Sequence, residues 1–266
     1  MSKLSKIATK NHEQAQQLVD GTACLFYHEK TDSYDWVKCH KQDKPLTIDE
    51  KIYILKNWNP QASHNVGKTG TFFTPYDLAR DFSLEVIGIG TIVDVCAGIG
   101  ALSFAEEIMG GGGAKHICVE NNPTFIEVGK RILPDAKWIL GDAFDAKTWE
   151  QIGSAYEVIS NPPFLKIKPT NFTGLNYTGG KSTYALAEIA LQYVKFATFI
   201  VDQRSCPFHY SGCMNYQQVL NKEYEKFKDQ TGIIFEATSI DTSVYLKEWS
   251  GVSTQVEIVH VKKELQ

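Results

Sequence analysis

From Gly70 onward, short apolar runs alternate with stretches of helical periodicity. The runs fall at Thr91 to Val95, His116 to Val119, Trp138 to Leu140, Tyr156 to Ser160 and Ala197 to Val201. Such runs, bounded by turn residues, read as strands buried on both faces. Ala101 to Met109, Thr124 to Ile132 and Tyr184 to Phe196 read as the helices between them. Parallel strands need a helical crossover, so the alternation predicts an α/β fold with a doubly wound, mostly parallel sheet. Two later apolar runs, Gly232 to Glu236 and Ser253 to Val261, are separated by a loop. They are expected to add an antiparallel C-terminal strand pair at one edge.

Before this alternation, residues 1–65 read as a small helical and irregular extension, leaving 66–266 as the main domain. In the extension, Ile48, Ile52, Ile54, Leu55 and Trp58 recur near helical spacing until the polar run Asn59 to Asn65 breaks the pattern. At the domain's entry, Thr74-Pro75 predicts a helix through Leu84, with Thr74 as its cap and Pro75 in its first turn. The glycine run Gly110 to Gly113 ends a helix and turns the chain.

The chain has 266 residues, 43% of them apolar, enough for one large α/β domain plus an appendage. Its longest apolar stretches fall far below the roughly 20 residues of a bilayer span. The charged start is followed by polar sequence instead of the apolar segment of a secretory signal, so a cytoplasmic location is expected. Six cysteines then read as free thiols. Cys206, His209 and Cys213, like Cys24, His28, Cys39 and His40, lack the paired spacing of a zinc module, and no metal is expected.

The net charge of −4 is unevenly spread: +2 over residues 1–70, −7 over 71–160 and +1 over 161–266. Acidity thus concentrates where a cationic cofactor would bind, while the flanks can face phosphates.

Behind the first strand runs Asp94-Val95-Cys96-Ala97-Gly98-Ile99-Gly100, followed at once by a helix. Glycines there let backbone approach a ligand at the carboxyl end of the strand. A plain strand-to-helix turn and a dinucleotide site fit that loop equally. Glu120, at the end of the second strand, is placed to accept from ribose hydroxyls. Asp142, after the third, is placed to accept from an exocyclic amine, with Phe144 as an apolar wall. The three acids together suit an adenosine, without choosing a nicotinamide cofactor over S-adenosylmethionine.

The fourth strand makes that choice, because it leads into Asn161-Pro162-Pro163-Phe164. Two adjacent prolines hold an extended, rigid loop. An adenine amine is a poor nucleophile because its lone pair is delocalised into the ring, and it needs two acceptors that favour a pyramidal nitrogen. The Asn161 side-chain oxygen and the Pro162 carbonyl can supply them while Phe164 stacks on the base.

On these residues the chain resembles the N6-adenine DNA methyltransferases of the class I Rossmann-like fold, from about Gly70 to the C-terminus. The segment Gly70-Thr71-Phe72-Phe73-Thr74-Pro75 is similar to the Phe-Thr-Pro segment preceding the glycine loop in that family. The resemblance implies S-adenosyl-L-methionine as cofactor and DNA as partner, with a flipped adenine as acceptor. It implies Thr71, Phe73, Thr74 and Pro75 at the methionine end, joined by Asp94, Ala97, Gly98 and Gly100. Glu120 and Asn121 would serve the ribose, and Asp142, Ala143 and Phe144 the adenine. Asn161, Pro162, Pro163 and Phe164 would be the catalytic loop, with Asn161 also touching the cofactor. Val95 and Ala97 stand where many relatives have proline and cysteine. No separate target-recognition domain follows the catalytic region, so low sequence specificity is expected.

Three segments are available to contact DNA: residues 1–65, the loop Leu165 to Lys181, and Gln203 to Gly232. Lys166, Lys168, Tyr177 and Lys181 mix charge with aromatic surface beside the acceptor, and Arg204 and His209 follow the fifth strand. The loop is expected to order only on DNA. Lys222 to Asp229 reads as a solvated helix face. Adenine in RNA and a glutamine side chain of a protein are alternative acceptors. A nucleic-acid-binding scaffold without catalysis would show a damaged loop or tetrapeptide, and both are intact.

Overall fold

The computed structural model describes residues 3–28, 31–40, 44–59, 72–249 and 254–264. Its centre is a seven-stranded sheet. The strands, in chain order, are β3 (Thr91–Val95), β4 (Lys115–Glu120), β5 (Lys137–Leu140), β6 (Glu157–Ser160), β7 (Phe196–Asp202), β10 (Ile233–Ala237) and β11 (Val256–Lys263). In space they run β10-β11-β7-β6-β3-β4-β5. All neighbours from β7 to β5 pair in parallel, while β11 is antiparallel to both β7 and β10. The mostly parallel sheet with an antiparallel C-terminal strand is therefore present as expected. Placing β11 between β7 and β10 brings the last strand back inside the edge.

Each strand shows two faces to two helical layers, because successive side chains alternate. Val93 and Val95 of β3 join the core under α6 (Ala146–Ile152), α7 (Ser182–Tyr193) and α8 (Lys222–Thr231). Ile92 joins the opposite core with Cys118, Ile159, Ile200 and Ile258. That second core is covered by α3 (Tyr76–Phe82), α4 (Ala101–Met109) and α5 (Pro123–Ile132). The charge alternation from Lys222 does mark a helix, α8, anchored by Tyr224 and Phe227.

The N-terminal residues are helical only in part. Helices α1 (Lys3–Val19) and α2 (Ile48–Asn57) flank an antiparallel hairpin of β1 (Ala23–His28) and β2 (Ser33–Lys38), which corrects the expectation of a helical and irregular segment. Helix α2 opens with a reciprocal cap: Thr47 Oγ1 accepts from the Glu50 amide at 3.2 Å, and Glu50 Oε2 accepts from the Thr47 amide at 2.9 Å. Leu18, Ile54 and Trp58 are buried in the same core as Phe82, Phe104 and Phe125, so these elements are part of one helical layer. The boundary drawn at residue 65 lies outside the described residues.

Among the described residues no helix is long and apolar enough to cross a membrane. No three His, Cys, Asp or Glu side chains gather as a metal site either. Cys24 and Cys39 do meet, with sulfurs 3.3 Å apart, but His28 pairs with Asp35 instead.

Behind β7, the buried Glu257 of β11 ties down the segment that carries His209. It accepts from Gln203 Nε2 (2.7 Å), the Tyr210 amide (2.9 Å), the Ser211 amide (3.0 Å) and Ser211 Oγ (2.7 Å). Glu257→Ala leaves the Tyr210 and Ser211 donors without this partner, Gln203 Nε2 keeping the Ser211 carbonyl, and is expected to cost on the order of 3 kcal/mol. Urea unfolding should show a lower midpoint at unchanged slope, with part of the loss recovered by Glu257→Gln. An unshifted midpoint would contradict this assignment.

Candidate active site

The carboxyl ends of β3, β4, β5 and β6 open into one cleft of about 230 Å³. Its floor is the Asp94-to-Gly100 loop. Cys96 and Gly98 take positive φ angles of 62° and 58°, and a Cβ on Gly98 would meet the Phe73 ring at 3.2 Å. Only glycine allows both the left-handed turn and that close approach. Gly100 serves otherwise: a Cβ there would meet Leu133 Cδ1 at 2.9 Å, behind the loop, and Gly100 does not line the cleft.

Glu120 gathers the backbone amides at the end of β4. Its Oε2 accepts from the Gly98 amide at 2.8 Å, and its Oε1 from the Asn121 and Asn122 amides, each at 2.9 Å. Burial raises the pKa of this carboxyl, and the same backbone donors oppose the rise. Oε2 keeps one lone pair for a ligand hydroxyl.

Asp142 Oδ1 accepts from the Phe144 amide at 2.9 Å, which leaves Oδ2 free among the described residues, beside Ala143 and the Phe144 ring.

Asp94 is the group most in need of a partner. Ser103 Oγ donates to its Oδ2 at 2.9 Å, while Oδ1 is buried with no partner among the described residues. Desolvation pushes its pKa up to about 7 against the ordinary 3.8, with the Ser103 hydrogen bonds pulling the other way. A cationic ligand in this cleft would stabilise the ionised carboxylate. The acids, the glycine floor and the free acceptors therefore fit the sulfonium cofactor expected from sequence. Cys96, beside them, is kept a neutral thiol by burial.

The opposite wall is the Asn161–Phe164 loop, all four residues of which line the cleft. Asn161 Nδ2 donates to Thr74 Oγ1 at 2.9 Å. The Pro163 carbonyl accepts from the Leu165 amide at 2.9 Å and from the hydroxyl of the buried Ser182. Among the described residues no donor reaches Asn161 Oδ1 or the Pro162 carbonyl. Among the described residues, two acceptors of a loop that lines the cleft are thus without a donor, while Asn161 Nδ2 and the Pro163 carbonyl are engaged.

Most of the expected cofactor residues converge here: Phe73, Thr74, Asp94, Ala97, Gly98, Glu120, Asn121, Asp142, Ala143, Phe144 and Asn161. Thr71 lies outside the described residues. Pro75 is buried off the cleft in the cap position of α3, which makes the Thr74 cap expectation incorrect by one residue. The Thr74 hydroxyl is thereby released from capping and meets Asn161.

The expected acceptor-side residues do not line the cleft. Tyr177 is buried, edge-on to Tyr184 and Phe227 with ring centres 5.5 Å away in both cases, so it supports the loop from beneath. Lys181 lies over the Tyr184 ring and 3.6 Å from Glu223, and Arg204 pairs with Asp202 at 2.7 Å. His209 sits half-buried in the short hairpin of β8 (Phe208–His209) and β9 (Gln217–Gln218). Lys166 and Lys168 are exposed, while Leu165 and Ile167, which alternate with them, line the cleft. The Leu-Lys-Ile-Lys alternation carried that signal; sequence reading took the lysines and missed the apolar pair. Phe72 was missed beside Phe73.

Nor does the loop after Phe164 await a ligand to be held. Glu188 accepts from the Asn176 amide at 2.6 Å and the Tyr177 amide at 2.9 Å, and the Thr170 amide donates to the Phe144 carbonyl at 2.8 Å. These bonds correct the expectation of a loop ordered by DNA. The Thr170 bond also ties the chain after Phe164 to the Phe144 side of the cleft.

No protein-family model matches the chain, and no curated protein matches it in sequence. Solved structures do. One is a protein from Listeria monocytogenes assigned to the class I S-adenosylmethionine-dependent methyltransferases, with 13% identity, a TM-score of 0.54, and 82% of this chain and 69% of that one covered. Another is a protein from Pyrococcus horikoshii assigned as an RNA methyltransferase, with 18% identity, a TM-score of 0.49, and coverage of 82% and 96%. A third, from Streptococcus mutans and assigned as an S-adenosylmethionine-dependent methyltransferase, has 11% identity, a TM-score of 0.45, and coverage of 98% and 82%. With β11 set antiparallel between β7 and β10, and with the likeness to the Listeria structure, this chain has the class I S-adenosylmethionine-dependent methyltransferase fold.

Proposed function

We propose that this chain transfers the methyl group of S-adenosylmethionine to the N6 amine of adenine in DNA. The observation that carries the proposal is the hydrogen-bond state of the tetrapeptide: among the described residues no donor reaches Asn161 Oδ1 or the Pro162 carbonyl, while Asn161 Nδ2 and the Pro163 carbonyl are engaged. A primary amine has two hydrogens to give, and the loop holds two acceptors to take them.

The cofactor supplies an electrophilic methyl on a positively charged sulfur. Asp94, Glu120 and Asp142 hold its polar ends, and the Gly98 floor lets it lie against backbone. Phe164, Leu165, Ile167 and Phe72 form an apolar acceptor wall, on which a planar base stacks with Phe164. Asn161 Oδ1 and the Pro162 carbonyl draw the amine hydrogens aside and direct its lone pair at the methyl. Transfer is direct, and the proton lost from the methylated amine passes to water at the cleft mouth. A paired adenine cannot enter so narrow a site, so it swings out of the duplex at a cost of about a few kcal/mol. The exposed Lys166 and Lys168 contact phosphates beside it.

The test offers labelled S-adenosylmethionine with unmethylated duplex DNA, an RNA of matching sequence and a Gly-Gly-Gln peptide. Label is expected in DNA, recovered as N6-methyladenosine of the deoxy series by nucleoside mass spectrometry. Label in RNA or peptide alone would move the acceptor to that class.

A further inference from the structure

We infer that Thr74 is a positioning residue for the acceptor amine, holding the Asn161 amide so that Oδ1 points at the substrate; this rests on the reading of Asn161 as an amine contact. A side-chain amide is nearly symmetric in shape, and its two ends differ only in what they can bond. Turned one way, Asn161 offers the amine an acceptor. Turned the other, it sets N–H against N–H, and the second acceptor is lost.

Thr74 Oγ1 lies 2.9 Å from Asn161 Nδ2 and takes up the donor end. The hydroxyl is well placed to do this because nothing about Thr74 is loose. The residue is 7% exposed. Pro75 follows it at the cap of α3, where the Pro75 carbonyl accepts from the Ala79 amide at 2.9 Å. Phe73 precedes it, its ring against Gly98 and 5.0 Å from that of Phe125. With Nδ2 donating to this hydroxyl, Oδ1 is the end of the amide left for an amine that only donates.

The arrangement has a consequence for coupling between the two halves of the cleft. Phe73 touches the glycine floor and Thr74 touches the acceptor residue, so one short segment spans both. Cofactor seated on Gly98 and acceptor geometry at Asn161 are thereby set by the same piece of backbone.

The experiment compares the full chain with Thr74→Val and Thr74→Ser. Valine keeps the shape and removes the hydroxyl; serine keeps the hydroxyl. In protein carrying ¹⁵N asparagine, the Asn161 side-chain amide signal is identified by its loss in Asn161→Asp. Its hydrogen exchange is expected to quicken several-fold in Thr74→Val and return to the parent rate in Thr74→Ser. Single-turnover methylation of adenine-containing DNA is expected to fall about tenfold in Thr74→Val and to recover within about twofold in Thr74→Ser. Sinefungin affinity should change by less than about twofold in both, and equal melting temperatures exclude a folding defect. Unchanged amide exchange in Thr74→Val overturns the inference, as does lost sinefungin binding with normal turnover, which would return Thr74 to the cofactor. Should the parent protein methylate no DNA, the adenine reading fails, while the amide exchange still decides whether Thr74 holds Asn161.

Discussion

Asn161→Ala is expected to lower methyl transfer by about 10²-fold or more while leaving cofactor affinity within about twofold. Among the described residues, the side chain presents one of the tetrapeptide's two acceptors without a donor, and its other end is tied to Thr74. Loss of Oδ1 therefore falls on the step in which the amine becomes pyramidal and barely touches the bound ground state. In kinetic terms kcat should drop and KM should move little. The Pro162 carbonyl remains in the variant, which is why residual activity is expected. Rapid-quench measurement with the preferred acceptor, together with calorimetric titration of S-adenosylhomocysteine, reads both quantities. Undiminished turnover would remove Asn161 from the mechanism.

Asp94→Asn is expected to stabilise the ligand-free protein above neutral pH and at the same time to weaken cofactor binding about tenfold or more. The sign follows from burial. Folding raises the Asp94 pKa from 3.8 to about 7, so the folded chain holds this proton more tightly than the unfolded one. Stability from this group is full below about pH 3.8 and is lost as the pH climbs through about 7. An amide does not titrate, so the variant escapes that loss. At pH 8 its melting temperature should exceed the parent's by several degrees, and at pH 4 the two should nearly coincide. Glu157, also pushed up to about 7 by burial, adds a falling background common to both proteins.

Cofactor binding runs the opposite way. A cation is held by the ionised carboxylate, so parent affinity should rise between pH 6 and 8, with protons released on binding at the lower end. In Asp94→Asn both the affinity and its pH dependence should diminish. Equal affinity in parent and variant at pH 8 would show that Asp94 does not meet the charge.

Both expectations draw on a site whose parts were unequally legible. The loop from Asp94 to Gly100 was readable because a strand, a glycine turn and a helix follow one another without interruption, and each signal is local. Asn161 to Phe164 was readable because two prolines after a strand leave the backbone little choice. The hairpin of β1 and β2 was not. Its outer half is exposed on both faces, so Phe26, Tyr27, Tyr34 and Val37 give no alternation of buried and exposed positions. Tyr177 misled for a related reason: an aromatic residue in a polar loop looks like a contact surface. Its burial depends on Tyr184 and Phe227, supplied by two different helices. The loop's order depends on the Glu188 carboxylate, which no local pattern connects to Asn176.

Sequence alone determined the strand and helix alternation, the acids at successive strand ends and the rigid tetrapeptide, since each is set by neighbours along the chain. Only the tertiary structure decided that Asp94 Oδ1 is left without a partner, that Thr74 takes the Asn161 amide and that the lysines beside the cleft turn outward. Those outcomes turn on which hydrogen-bond partners remain once distant segments have packed, and a residue 87 positions away settles the orientation of the one at the centre of the proposed chemistry.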